Sequence, residues 1–524
     1  MNLKKILTGL FSLSLVLNPM SICAEETSVV AQSADGTQTY ADYTSAWSAA
    51  NSGTEIIMLQ DWNLNDRLIV NEGATVTIDM NGYKIDRQLS ETVDDGEVIY
   101  VGKGSSLTLN GSTTDSTFTV KDFKNDSYRG EKTTEVSSGG MITGGYSSNG
   151  GAGIHMKKNS TLTLDHVAVS GNYSDSDFNN GGGIKIDNSG CTVNLNNGTE
   201  VSYNQSGEGG GIYVGGEDAY IFMNASKISN NFASDGGGIY SNYDATRIVL
   251  DNGSEISDNT AHTDGGGVYF YNSYNLIKSN DSTGKLCNNL CEGSSELIPQ
   301  GGAVYYHEVN LKSNEGYLEN LTFENNVVNR SNSGRGGAVY FDLKNVQVTN
   351  CTFKSNIAYN GGAFYQNAKD ITLIDCTITD NYSDGRGGAA YVDSLDNLIL
   401  KGKCIIKDNT SFKYYQVTKK DNIYLQTGSA SKAYVSGTPD EGSSVWISAD
   451  GERQIGINQG NTNGTFHLDD DGYYIYYKGS DLYKKSGTAS VFGNGNTLIA
   501  GCVMLGIGVI GGVILFVNKK KKKA

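Results

Sequence analysis

The chain has 524 residues, with 67 Gly, only 3 Pro, 19% charged residues and a formal charge of −17. Glycine at about 13% is nearly twice the usual ~7%, but without proline or a Gly-X-Y period it excludes collagen, and the low charge content excludes a long helical array. Removing Lys4, Lys5 and the five lysines at 519–523 leaves −24 on the middle of the chain, which repels phosphate backbones and excludes nucleic acid as a partner.

Residues 1–24 read as a secretory signal peptide. Lys4 and Lys5 form the charged start, 6–17 the apolar stretch, and Ala24 the cleavage point. An N-terminal cap is expected over 25–54, with a short helix at 46–50 covering an open coil. Alternating segments at 55–59, 67–70, 75–79, 97–101 and 106–109 then read as the first strands.

From about residue 150 the chain repeats. A Gly-Gly-small-apolar unit has its third residue at Gly183, Gly211, Gly238, Gly267, Ala303, Ala338, Ala363 and Ala389, with a degenerate copy at Gly153. An apolar-x-x-Asn unit runs in phase, ending at Asn172, Asn204, Asn231, Asn259, Asn326, Asn356, Asn381 and Asn409, with Asn289 a further candidate. Such a period buries its apolar side chains only by stacking on its neighbours. The expected fold is therefore all-β, a single right-handed parallel β-helix with three strands per coil and roughly 12–14 coils at ~4.8 Å each. It is expected over 55–450, with a C-terminal cap or stalk at 451–496 that contains a small hairpin at 465–483.

Residues 497–517 are an uncharged, mostly apolar run, long enough at ~1.5 Å per residue to cross a membrane as a helix. The polybasic tail at 518–524 places that end in the cytoplasm. The expected product is secreted, then anchored in the plasma membrane with its bulk on the cell surface. This layout resembles surface proteins of Gram-positive bacteria, although no LPxTG-type motif precedes the apolar run.

The paired Gly-Gly-Ala-Val and Phe-x-x-Asn units, closest at 336–339 and 353–356, resemble the repeats of chlamydial polymorphic outer-membrane proteins, an adhesin family. The wider group is the pectin-lyase-like β-helix superfamily. The resemblance covers about 150–410 and implies the fold and an adhesive role. In place of that family's C-terminal membrane barrel, a single helix is expected to do the anchoring.

In a β-helix, equivalent residues stack into rows. The Asn series predicts a hydrogen-bonded row inside a turn. Cys351, Cys376 and Cys404 predict an inward thiol stack, Cys287 and Cys291 a pair that could join outside the cell, and Cys191 has no evident partner. Tyr213, Tyr240, Tyr269, Tyr305, Tyr340, Tyr365 and Tyr391 each follow the apolar residue of a Gly-Gly unit, so the period of two turns them outward. Exposed rings there would stack on sugar rings or a protein partner; the alternative is a seam that only stabilises the sheet. Glu208, Asp235 and Asp264 stack just before the Gly-Gly pairs and raise calcium as a metal ligand set, with Asp469, Asp470 and Asp471 a similar cluster. No other cofactor is expected.

Hydrolases of this superfamily resemble one another in clustered Asp pairs with Gly-His-Gly and Arg-Ile-Lys elements, and none appears here. His155, His166, His262, His307 and His467 show no shared rung. Lyases need an Arg or Lys base beside calcium carboxylates, and Arg335 and Arg386 lie several coils from the acidic trio. The expectation is a non-catalytic, adhesin-like rod that binds a host or dietary glycan or a host protein. A polysaccharide lyase or glycoside hydrolase, and a passive surface spacer, are the alternatives.

Overall fold

The computed structural model describes residues 29–123, 132–175, 180–272, 274–293, 297–307, 315–329, 333–367, 370–393, 397–412, 418–426, 433–458 and 465–487. The expected leader at 1–24, the expected span at 497–517 and the expected tail at 518–524 lie outside them. Among the described residues no helix is long and apolar enough to cross a membrane.

Strands stack in parallel ladders, which makes the fold a parallel β-helix. One coil shows the plan: Ile212–Val214 lies in ladder A, Tyr220–Asn224 in B, Lys227–Ser229 in C and Phe232–Asp235 in D. Ladder B holds fourteen strands, from Ile56–Met58 to Arg453–Asn458. Ladder C runs further, to Phe466–Leu468, beyond residue 450. Central coils thus have four strands rather than the three expected. The residue before each ladder asparagine from Asn172 to Asn409 has a positive φ (+55° at Asn230, +57° at Asp258), which breaks C from D. The D strands are short and carry no sustained apolar alternation, so in the sequence they read as turns.

The alternating residues of A, B and C point inward and form one continuous core, including Ile212, Ile221 and Ile228 from a single coil. Each fully buried side chain of this size contributes about 1.5–3 kcal/mol. Equivalent core residues stack on one another, and the Phe323 and Phe353 rings lie 4.7 Å apart and nearly parallel.

The asparagines occupy the turn between C and D, all fully buried. Asn231 donates from its backbone N–H and from Nδ2 to Asn259 Oδ1, at 3.1 and 3.0 Å, and Nδ2 also donates to Val201 O at 2.8 Å. The pattern passes through Asn289 and continues past Asn409 to Asn422, which the motif spacing did not reveal. Asn422 then donates twice to the Asp469 carboxylate, at 2.7 Å each. Asp469 is therefore the terminal acceptor of the row rather than part of a cation cluster.

Both ends are covered by antiparallel pairing, which blunts the bare sheet edges of a solenoid. Ala31–Ser33 pairs with Ile56–Met58, and the helix Tyr43–Asn51, longer than the five residues expected, buries Ala46, Trp47 and Ala50. At the far end Asp481–Ser486 pairs with both Arg453–Asn458 and Tyr473–Lys478. An unexpected antiparallel hairpin, Ser116–Lys121 with Thr133–Ser138, is inserted between B and C of the third coil.

Replacing Asn259 by Ala leaves the Asn231 N–H and one Nδ2 proton without an acceptor in a buried turn. The expected loss is about 2–4 kcal/mol, read as a lower urea midpoint; Asn194→Ala, on a half-buried outward position, should leave the midpoint nearly unchanged.

Candidate functional site

The chain turns from ladder D into ladder A at the Gly-Gly pair. Its first glycine has φ near +61° at Gly236, and a Cβ there would lie 2.4 Å from Ile239 O, so only glycine fits this corner. The next outward position carries the tyrosine row. Successive ring centroids are 5.7 Å apart for Tyr213–Tyr240, 4.8 Å for Tyr240–Tyr269 and 4.7 Å for Tyr365–Tyr391.

Tyr213, Tyr240, Tyr269, Tyr305, Tyr340 and Tyr365 are only 2–7% exposed, and Tyr391 is half-buried. The expectation of exposed ring faces is corrected. Alternation does turn these side chains out of the main core, where they form a cluster of their own. Polar rows on either side then close over them. Asn242 Nδ2 donates to Tyr213 Oη at 3.3 Å, Tyr365 donates to Asp393 at 3.0 Å, and the Arg335 guanidinium lies 5.0 Å from the Tyr365 ring. Tyr424, missed because no Gly-Gly pair precedes it, extends the row and donates to Asp450 at 2.6 Å. Burial pushes the phenols up, Tyr391 to about 12.

Glu208, Asp235 and Asp264 stack in register as expected, followed by Gln300, Arg335, Asn360 and Arg386. The Asp264 N–H donates to Asp235 Oδ1 at 3.1 Å, and Asp264 Oδ1 is buried without a hydrogen-bond partner. Burial, then the charge of Glu208, pushes Asp235 up to about 7; burial and Asp235 push Asp264 up as well. Among the described residues no three His, Cys, Asp or Glu side chains are grouped to hold a metal. Burial and mutual repulsion thus push Asp235 and Asp264 towards the protonated form.

Towards the N-terminus the same outward row continues as Lys185, His155 and Tyr100. His155 Nδ1 lies 3.8 Å from Glu97 Oε1 and His155 Nε2 lies 3.5 Å from Asp187 Oδ2. Lys157 pairs with Asp187, and Arg67 with Glu97. Burial pushes Glu97 up, but bonds from His155, its own backbone and Arg67 outweigh it and hold the carboxyl below its ordinary range. Sequence spacing hid this cluster, because Glu97, His155 and Asp187 stand in different coils and meet only through register. Both imidazole nitrogens face carboxylates, and the ring is 8% exposed.

The thiols follow the core reading. Cys351, Cys376 and Cys404 are buried and free, and Cys287 and Cys291 are also free rather than joined. Cys191 donates to Lys157 O at 3.1 Å.

Exposed aromatic rings gather instead on and beside ladder B, with others at Phe412 and Tyr476. Phe222 in ladder B is 38% exposed, and Tyr243 and Tyr274, in the turns that lead into ladder B in the next two coils, are each 42% exposed. Tyr220, Arg247, Leu276 and Tyr317 form the outward row between and beside them. The Tyr220 and Phe222 rings lie 5.9 Å apart at 14°, and Arg247 Nη1 donates to Tyr220 Oη at 2.7 Å. Tyr274 holds φ +60°, a conformation uncommon for a bulky residue, where Asp218 and Ala245 stand in the two preceding coils.

The family model described as "Right handed beta helix region" matches residues 300–450. No curated protein matches the chain. The matched stretch is similar to right-handed β-helices, and the same parallel ladders continue on both sides of it.

The raised carboxyls give stability a pH dependence of definite sign. A carboxyl pushed up by folding contributes fully below its ordinary value near ~4, and its contribution is lost as pH rises through the folded value. For Asp235 that loss builds up from the ordinary value near ~4 and is complete above about 7. Calorimetry is expected to give a higher Tm at pH 5 than at pH 8. Asp235→Asn should flatten the difference and raise Tm at pH 8.

Proposed function

We propose that this chain is a non-catalytic, adhesin-like rod, secreted and held at the surface of a Gram-positive type cell by the apolar segment at 497–517, and that it binds a glycan. The observation that carries the reading is the group of exposed rings on and beside ladder B, contributed by three successive coils. Aromatic faces accept the apolar face of a sugar ring, while the tyrosine hydroxyls and Arg247 supply hydrogen bonds to its hydroxyls.

The full chain in mild detergent is run in native gels cast with pectin, host mucin glycans or no additive. Retardation in one glycan gel is expected, and Phe222→Ala or Tyr274→Ala should each weaken it about three- to tenfold with an unchanged unfolding midpoint. Tyr240→Ala should lower the midpoint instead. A cleared zone around the band would replace this reading with an enzyme. Unchanged mobility in every glycan gel would overturn it in favour of a protein ligand or a spacer.

A further inference from the structure

In a regular coil the turn from ladder B to ladder C takes two residues, as at Ala225 and Ser226 between Tyr220–Asn224 and Lys227–Ser229. In the third coil the chain leaves after Ser106–Asn110 and returns at Met141–Thr143, and the hairpin occupies the interval. Coil closure therefore does not require it. Phe118, Val120 and Val136 fasten the hairpin to the rod by packing on Met141 and Ala168. Thr117 and Thr119 point away and are exposed.

Strand Ser116–Lys121 pairs only with Thr133–Ser138 among the described residues, in a sheet of two strands. Its second edge is open, so alternate N–H and C=O groups along about 20 Å of backbone have no ladder partner. That edge bounds a cleft of about 740 Å³, floored by Gln60, Asp61, Asn63, Tyr83 and Lys84 of the first two coils. The floor carries little net charge. Asp61 Oδ1 accepts the Lys84 N–H at 3.0 Å, and Lys84 Nζ pairs with Asp86 at 2.8 Å.

We propose that this edge and cleft are a docking site for an extended, uncharged polypeptide segment, which joins the hairpin as a third strand. A row of backbone donors and acceptors at ladder spacing is matched by another polypeptide strand and not by a sugar, whose hydroxyls lack that alternation. Alternate side chains of the guest enter the cleft beside the Tyr83 ring, and a guest rich in Asp, Glu, Lys or Arg gains nothing from the balanced floor. The site is separate from the ladder B rings, so either can fail alone.

The probe is a blocked hexapeptide of alternating Thr and Val, added in millimolar excess to the full chain while amide hydrogen exchange is followed. The amides of 116–121 not paired to 133–138 are expected to exchange fast in the free chain and about tenfold more slowly with peptide. The same peptide N-methylated at alternate residues should give no slowing, and Tyr83→Ala should weaken the effect while leaving exchange in the free chain unchanged. Xylohexaose, run in parallel, should leave 116–121 untouched. The proposal is overturned if the peptide slows nothing at 116–121, if the N-methylated peptide protects equally well, or if the hexasaccharide protects the same amides.

Discussion

The amide-to-amide hydrogen bond along the asparagine row is the interaction on which the remaining register depends. A primary amide has an acceptor oxygen able to take two donors and a nitrogen able to give two, and each ladder Asn uses this capacity on its neighbours and on a core carbonyl. Ser lacks the reach, and ionised Asp lacks the donor, so Asp stands only at the end of the row, at Asp469. Holding the preceding residue in the left-handed region costs roughly 1–2 kcal/mol per coil. Buried, doubly bonded amides and the core they bring into alignment offset that cost.

Once register is fixed, like residues meet like residues, and the consequences differ with chemistry. Aromatic rings gain, as in the Tyr and Phe stacks. Charges do not. On the outward face of ladder C the sequence alternates sign, and Glu200, Lys227, Glu255 and Lys285 follow one another, with Lys227 3.2 Å from Glu255. Beside the tyrosines no such alternation occurs among Glu208, Asp235 and Asp264. The same stacking that stabilises rings there drives carboxyls towards their protonated form.

Rows that repeat along the chain were legible in the sequence, because one coil's pattern is copied into the next. The Gly-Gly corners, the Asn row and the inward thiols at Cys351, Cys376 and Cys404 belong to this class. The burial of the tyrosines was not legible. Alternation gives the side of the strand but not the height of the flanking rows, and Asn242, Asp393 and Arg335 are what enclose those rings. The His155 cluster was hidden for a related reason: Glu97, His155 and Asp187 lie in coils of unequal length, and the inserted hairpin separates the first two in sequence. The fourth strand of each coil escaped because hydrogen bonding, not apolar alternation, defines it.

These outcomes point to where recognition is to be sought on such a rod. A perfectly repeated outward residue stacks on its own copies, and stacking removes the ring faces that a ligand would need. Surfaces open to a partner arise where repetition fails. Phe222 stands opposite Val249 instead of another ring, and Tyr274 replaces the small residues of the preceding coils. The 116–138 hairpin interrupts a two-residue turn. Regular rows thus supply a stiff scaffold, and departures from regularity supply its chemistry. A substitution that restores the repeat at such a departure, such as Tyr274→Asn, matches the left-handed preference of the corner and removes the ring at once, so stability and binding should move in opposite directions.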